Sequence, residues 1–310
     1  MEAIIKDMRA CADALDEKCY AHVSRCPRDA VGVILDYAEN ADGDDVRVYA
    51  VGGDGILYDC LNGVVGLSNA ELAAIPYGDA NDFVRGFGAS AIGVFKDIRL
   101  QALSGTVPMD VMRVSGNYAF NYCAVGLEAV IADKSKMVQR FCNACPKFFS
   151  TRKPFVYNST IKLGALLGIS DKKVSDIYYD IKVDGEDLSG VYTTLNISNG
   201  SCYGGNLTAL PKALPFDGEL DILFARKSST IETLYVTYHF VKGRYYKFPS
   251  YCTARRGKSV SIRAQHPMAV CVDYEDAFLD TRIDIDIVPG AVRFVVPGGM
   301  PYKGGNSGVA

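Results

Sequence analysis

Two glycine-bearing segments of this chain have the residue types and spacing to hold an anion. The first is Gly52-Gly53-Asp54-Gly55, which follows directly on the apolar run Val46–Val51 and leads into ILYDCLNGVVG. Glycines without a Cβ let backbone approach an anion closely, and a helix that starts there offers free N–H groups and a positive dipole end. Asp54 would repel a phosphate unless it serves a metal or a proton transfer. The plainer reading of the four residues is a tight turn between strand and helix. The second segment is Pro76-Tyr77-Gly78-Asp79-Ala80-Asn81-Asp82-Phe83, again after a short apolar run. Asn81 and Asp82 are residue types that cap helices. Two such loops at one end of a parallel sheet would stand where open α/β sheets bind ligands.

The elements that must position these loops are legible as alternation. Residues 3–16 carry apolar side chains at helical spacing, and residues 19–24 are a short strand candidate. Asp29 opens an apolar-rich helix that the turn-forming ADGDD stops. Strand, helix and strand follow to residue 78. This predicts an α/β domain over residues 1–105 with a parallel sheet and covering helices. Beyond the QALSGTVP stretch the pattern changes. A basic helical region is expected over roughly 128–169. Short alternating runs follow, among them IYYDIKV, LSGVYTTLNIS, GELDILFA, KSVSIRA, MAVCVDY, TRIDIDIV and AVRFVVP, separated by Gly, Pro, Asn or Asp. They predict an all-β domain over 106–310, an antiparallel sandwich or barrel, with the C-terminal tail as a segment that can return to the first domain.

GGDG followed by P-x-G-x-x-N-D-F resembles the catalytic domain of diacylglycerol kinases and their relatives, the soluble bacterial lipid kinases and the sphingosine and ceramide kinases. Further segments match in order: NYCAVG at Asn121–Gly126, Asn199-Gly200 before Gly204-Gly205, PKALPFDGELD at Pro211–Asp221, and MAVCVDYE at Met268–Glu275. The resemblance covers roughly residues 15–300. It implies ATP-dependent phosphorylation of a lipid hydroxyl, with ATP on the first domain and the lipid head group in the cleft between the domains. By the same resemblance Gly52, Gly53, Asp54, Gly55, Ile56, Leu57 and Tyr58 would hold the nucleotide phosphates, together with Ser24, Asp79, Asn81 and Asp82. Mg²⁺ would sit on Asp217, with ligands from Leu214 and Glu219. Asp273 and Glu275 fill the acidic positions where the family places its general base, with Asp54 in reserve. Such a reaction needs charge neutralisation, in-line positioning and a carboxylate to take the hydroxyl proton.

The chain also departs from the pattern. The matching stretch begins within the family's first helix, without its first strand and Asn-Pro phosphate loop. Ile56 and Asp79 stand where the family has Thr, and Tyr274 where it has Gly. These losses favour an alternative, a lipid- or nucleotide-binding protein on the same fold without transfer activity. An NAD kinase would lack the N-D-F and D-G-x-L-D segments. Asp184-Gly185-Glu186 is a literal D-G-E, but it lies between two strand-like runs and precedes the D-G-E-L-D segment, so it reads as a hairpin turn. The Asp273–Glu275 triplet has a hairpin reading as well.

Composition narrows the remaining classes. Lys and Arg number 33 against 36 Asp and Glu, for a net charge of −3, which argues against a general nucleic-acid binder. No apolar run approaches the ~20 residues of a membrane span, and the start has no apolar signal region. Ten cysteines then read as cytosolic thiols, and the C-x-x-C of Cys142 and Cys145 lacks the second pair that zinc would want. His22, His239 and His266 show no metal spacing. Basic residues cluster in 134–173 and 242–263. These are either solvated faces or attraction to an anionic membrane surface, worth about 1 kcal/mol per basic residue close to it. The expectation is a cytoplasmic protein with peripheral membrane association.

Overall fold

The fold is described from a computed structural model, which covers residues 2–41, 44–144, 177–204, 207, 208, 210–226, 232, 235, 236, 239 and 243–304. Cys145 and most of the basic region over 128–169 lie outside the described residues.

Helix α1 spans Glu2–Ala14 and α2 spans Asp29–Glu39. The strand expected between them does not form. Residues 17–25 are irregular chain, because their bonds go to α2 and not to a sheet edge. His22 and the Arg25 N–H both reach the Asp29 carboxylate at 2.9 Å, and Tyr20 stacks on Tyr37 with ring centroids 5.6 Å apart. Strand β1 (Val46–Gly52), α3 (Asp54–Val64) and β2 (Ala70–Pro76) form a parallel unit, paired from Val46↔Ala70 to Gly52↔Pro76. Helix α3 buries Leu57, Leu61 and Val64 at helical spacing against that sheet. Short helices α4 (Asp82–Arg85), α5 (Ala91–Val94) and α6 (Ile98–Leu103) lead out of it.

The second half is antiparallel. Its strands are β3 (Thr106–Val114), β4 (Asn117–Ala119), β5 (Tyr122–Gly126), β6 (Ile177–Val183), β7 (Glu186–Asp187), β8 (Gly190–Tyr192), β9 (Thr194–Ser198), β10 (Leu220–Ala225), β11 (Cys252–Gly257), β12 (Ser259–Val272) and β13 (Asp276–Val295), with helix α7 (Leu127–Ala144) after β5. The path through the sheet runs β1-β2-β13-β12-β5-β9-β10-β11.

Four of the short runs expected from the sequence are in fact two long strands. KSVSIRA and MAVCVDY belong to β12, and TRIDIDIV and AVRFVVP to β13. The register shifts between Arg263 and Met268 and again between Val288 and Val292. The Pro and Gly residues there mark bulges within a strand rather than turns between strands. Because β13 continues past its bulge, Arg293 and Phe294 pair in parallel with Glu71 and Leu72 of β2. One strand thus belongs to both halves.

An aromatic cluster locks the halves together beside the glycine loops. Phe83 of α4 is fully buried, stacks on Phe120 at 4.1 Å and meets Phe294 edge-on at 5.0 Å. Such pairs contribute about 0.5–1.5 kcal/mol each beyond area burial. Among the described residues no helix is long and apolar enough to cross a membrane. The described cysteines carry free thiols.

Candidate active site

The parallel pairing of β1 and β2 ends both strands at the same level, so the two glycine loops meet. The Gly52 carbonyl accepts the N–H groups of Tyr77 and Gly78 at 2.7 and 3.0 Å. A Cβ on Gly78 would fall 2.3 Å from the Gly53 Cα, a contact only glycine permits. Helix α3 starts immediately after Gly53, and the first N–H groups of a helix have no intrahelical partner.

Asp54 does not point into this terminus as an unpaired charge. Its carboxylate accepts the Asp82 N–H at 2.7 Å and is also bonded by the N–H groups of Asn81 and Phe83. It therefore caps α4, a role the sequence suggests for Asn81. Asn81 instead adopts a left-handed conformation with φ 52° and folds its amide back onto Gly78, donating to the Gly78 carbonyl and accepting its N–H. Burial pushes the Asp54 carboxyl up, against these N–H bonds.

The late acidic pair stands on the turn between β12 and β13. Asp273 and Tyr274 both have positive φ, 46° and 61°, and the Glu275 N–H bonds back to the Val272 carbonyl at 2.8 Å. The triplet forms the hairpin turn that the sequence also allowed. For Tyr274 the left-handed conformation costs about 1–2 kcal/mol that glycine would not incur. Three N–H groups hold the turn in place. Phe120 donates to Asp273 Oδ2 at 2.7 Å, and Asn121 and Tyr122 donate to Oδ1, each at 2.9 Å. Burial raises Asp273 to about 6 against these three bonds, with Asp54 adding to the rise.

Glu275 differs from both. Its Oε2 lies 3.0 Å from where a Cβ on Gly55 would stand, so the carboxylate rests against the first turn of α3. Its cationic neighbour is the Lys136 Nζ of α7 at 3.9 Å, and the same ammonium donates to the Glu275 backbone carbonyl at 2.9 Å. Partial burial raises Glu275 to about 7. Lys136 pulls it down, and Asp54 and Asp273 push it up. Three carboxyls that interact in this way titrate as a set.

The other expected residues are scattered over four places. Ile56, Leu57 and Tyr58 lie in the first turns of α3. The Ile56 side chain fills the space over Gly52, and Tyr58 faces the Arg28 guanidinium at 5.0 Å. Asp79 is exposed at the loop mouth. Ser24 stays within its own irregular segment, its hydroxyl donating to the Cys26 carbonyl. The 214–219 loop is elsewhere in its bonding: Asp217 and Glu219 both meet Arg256. Among the described residues no group of three or more His, Cys, Asp or Glu is arranged to hold a metal ion. Asp184-Gly185 forms a two-residue hairpin turn with both φ positive, and Asp184 accepts N–H bonds from Lys258 and Ser259.

Lys136 and Arg28 are participants that motif reading missed. Arg28 donates its N–H to Asp59 at 2.7 Å and its guanidinium to Asn117, and lies 4.0 Å from Asp276 beside the acidic turn. Neither stands in a recognisable motif. Only the approach of α7 and α2 to the turn reveals them.

Residues 2–114 match the diacylglycerol kinase catalytic domain, and residues 160–296 match the YegS C-terminal NAD kinase beta sandwich-like domain. Over these two stretches the chain resembles the diacylglycerol kinase family. Its relatives include "Putative lipid kinase SH2167" of Staphylococcus haemolyticus, 26% identical over 275 residues, which are 85% of this chain and 82% of the relative. "Probable lipid kinase YegS-like" of Stenotrophomonas maltophilia is 28% identical over 274 residues, again 85% and 82%. Among solved structures, "A putative diacylglycerol kinase from Bacillus anthracis str. Sterne" superposes with a TM-score of 0.71 at 19% identity, covering 97% of this chain and 93% of that one. That likeness establishes the shared fold, an α/β unit joined to an antiparallel β-sandwich-like unit. In this chain the acidic turn of the second unit closes on the glycine loop of the first.

Proposed function

We propose that the chain is an ATP-dependent lipid kinase, with Glu275 as its general base. The observation that carries the reading is the placement of Glu275. Of the three carboxyls gathered at the α3 terminus, Asp54 and Asp273 are committed to backbone N–H groups, and Glu275 faces the Lys136 ammonium. A carboxylate with free lone pairs beside a phosphate-binding helix terminus suits proton removal from an acceptor hydroxyl.

In this reading the nucleotide phosphates lie over Gly53, Gly55 and the α3 N-terminus, with Asn81 holding the second loop in place. The head group lies between the unit of residues 1–105 and that of 106–310. Mg²⁺ arriving with ATP would supply neutralisation of the phosphate charge. Glu275 takes the hydroxyl proton as the hydroxyl oxygen forms its bond to the γ-phosphorus, and the bond from that phosphorus to the β,γ-bridging oxygen breaks to release ADP. Lys136 favours the ionised form of Glu275 before transfer. Lipid as the acceptor class rests on what the relatives are named. Exposed Lys247, Arg255, Lys258 and Arg263 would add attraction to an anionic lipid surface.

A second reading, nucleotide or lipid binding without transfer, is favoured by Ile56 and Asp79. Both lack a hydroxyl donor, and Asp79 brings a negative charge to the loop mouth. Transfer of label from radiolabelled ATP to a panel of lipids in mixed micelles separates the two. Labelled lipid from the wild type and none from Glu275→Gln supports the kinase. Binding without labelled product supports the alternative.

A further inference from the structure

Arg256 belongs to the second basic run of the sequence, and sheet register decides what it meets. β10 and β11 pair antiparallel with Asp221 opposite Arg256 and Leu220 opposite Gly257. The turn that feeds β10 therefore lies against the same guanidinium. Its Nη2 donates to Asp217 Oδ2, its Nη1 lies 2.7 Å from Glu219 Oε2, and its Nε lies 3.6 Å from Asp221 Oδ2. The other Asp217 oxygen accepts the Glu219 N–H at 3.1 Å. Asp110 fixes the loop from behind. Its carboxylate accepts the Gly218 N–H at 2.7 Å and the Gly290 N–H at 2.8 Å, and its own N–H donates to the Pro215 carbonyl.

We propose that the Arg256 guanidinium is the resident cation of the 214–221 segment, so that this chain closes the loop without the divalent metal that the family resemblance places on Leu214, Asp217 and Glu219. The two cations compete for one place. Mg²⁺ demands octahedral oxygen ligation at about 2.0–2.1 Å. Here both Asp217 oxygens already have donors, and a planar fork of N–H groups occupies the centre between three carboxylates. Arginine suits this position because its charge is permanent and its fork matches carboxylate geometry. Loop closure then responds to ionic strength, since Arg256 is half exposed, and not to chelators. This inference stands independently of whether the chain transfers phosphate.

The test is a Mn²⁺ titration of the nucleotide-free chain followed by electron paramagnetic resonance, on wild type and Asp217→Asn, with melting temperatures in millimolar Mg²⁺ and in EDTA. The expected result is the same isotherm for both proteins and the same wild-type melting temperature in both buffers. A Mn²⁺ site present in wild type and lost in Asp217→Asn overturns the proposal. Arg256→Gln leaves three carboxylates without their cation. It is expected to melt several degrees below wild type and to recover when Mg²⁺ is added. A depressed melting temperature that Mg²⁺ does not raise overturns the shared-place claim. Where Arg256→Gln yields no folded protein, the comparison of wild type with Asp217→Asn decides alone.

Discussion

The Glu275 carboxylate occupies the side of Gly55 where a side chain would project, across 220 residues of sequence, with Oε2 3.0 Å from the point a Gly55 Cβ would occupy. The contact joins the β12–β13 turn to the first turn of α3. A Cβ at 55 would press on this carboxylate, which would have to give by a few tenths of an ångström, and under the proposed function the partly exposed carboxylate stands beside the phosphate site.

If Glu275 removes the acceptor proton, Glu275→Gln keeps the shape and loses the base. Transfer should fall by about 10²–10⁴-fold, while ATP binding and melting temperature stay close to wild type. Steady-state kinetics with a fixed lipid, paired with calorimetric ATP titration, read both quantities.

Activity should rise with pH. As the proposed base, Glu275 would have to be ionised to act, and its carboxyl is raised to about 7. The rate at low substrate should therefore climb through about pH 7 and level off above it. Lys136 is the cause that lowers this value. Lys136→Met should move the rising limb to higher pH, whereas a merely structural role for Lys136 would reduce the rate equally at every pH.

Asp273→Ala should behave as a folding variant. It leaves the N–H groups of Phe120, Asn121 and Tyr122 without their acceptor. At about 1–3 kcal/mol for each buried donor left unmade, and with relief from burying a charge set against it, the net loss is on the order of 2–4 kcal/mol. Denaturant midpoints should show this loss for Asp273→Ala and not for Glu275→Gln.

Gly78→Ala pushes the two glycine loops apart, because its Cβ would stand 2.3 Å from the Gly53 Cα. Backbone cannot yield there without breaking the bonds from Tyr77 and Gly78 to the Gly52 carbonyl. We expect ATP affinity to drop at least tenfold, about 1.4 kcal/mol, measured by titration with a non-hydrolysable analogue.

Glu128, at the start of α7, bonds Asn196 at 3.1 Å, and burial raises its carboxyl from 4.5 to about 7. A folded value above the unfolded one means that stability is lost as pH rises from about 4.5 to 7. Each tenfold difference in proton affinity between the folded and unfolded chain corresponds to about 1.4 kcal/mol. Glu128→Gln, which mimics the protonated form, should melt near wild type at pH 4 and several degrees above it at pH 8.

What the sequence by itself determined is local. Gly52–Gly55 had to be a strand-to-helix turn because glycine supports a tight turn and close approach, and α3 follows with its apolar face at helical spacing. Asp184-Gly185 had to be a hairpin turn, because those residue types accept positive φ between two alternating runs. The ordered motifs were enough to point to the family. Tertiary structure decided what depends on partners far along the chain. Residues 263–268 and 288–292 carry the turn signals Pro and Gly, yet they are bulges, since the neighbouring strands continue to pair across them. Asp54, Asp273 and Glu275 are alike as letters, and their roles separate only when the N–H groups of 81–83 and 120–122 reach two of them and not the third. Arg256 reads as one more basic surface residue until β10 and β11 set it among three acids. A carboxylate or guanidinium takes its role from what surrounds it, and across a sheet those surroundings come from register, which residue spacing along one strand does not encode.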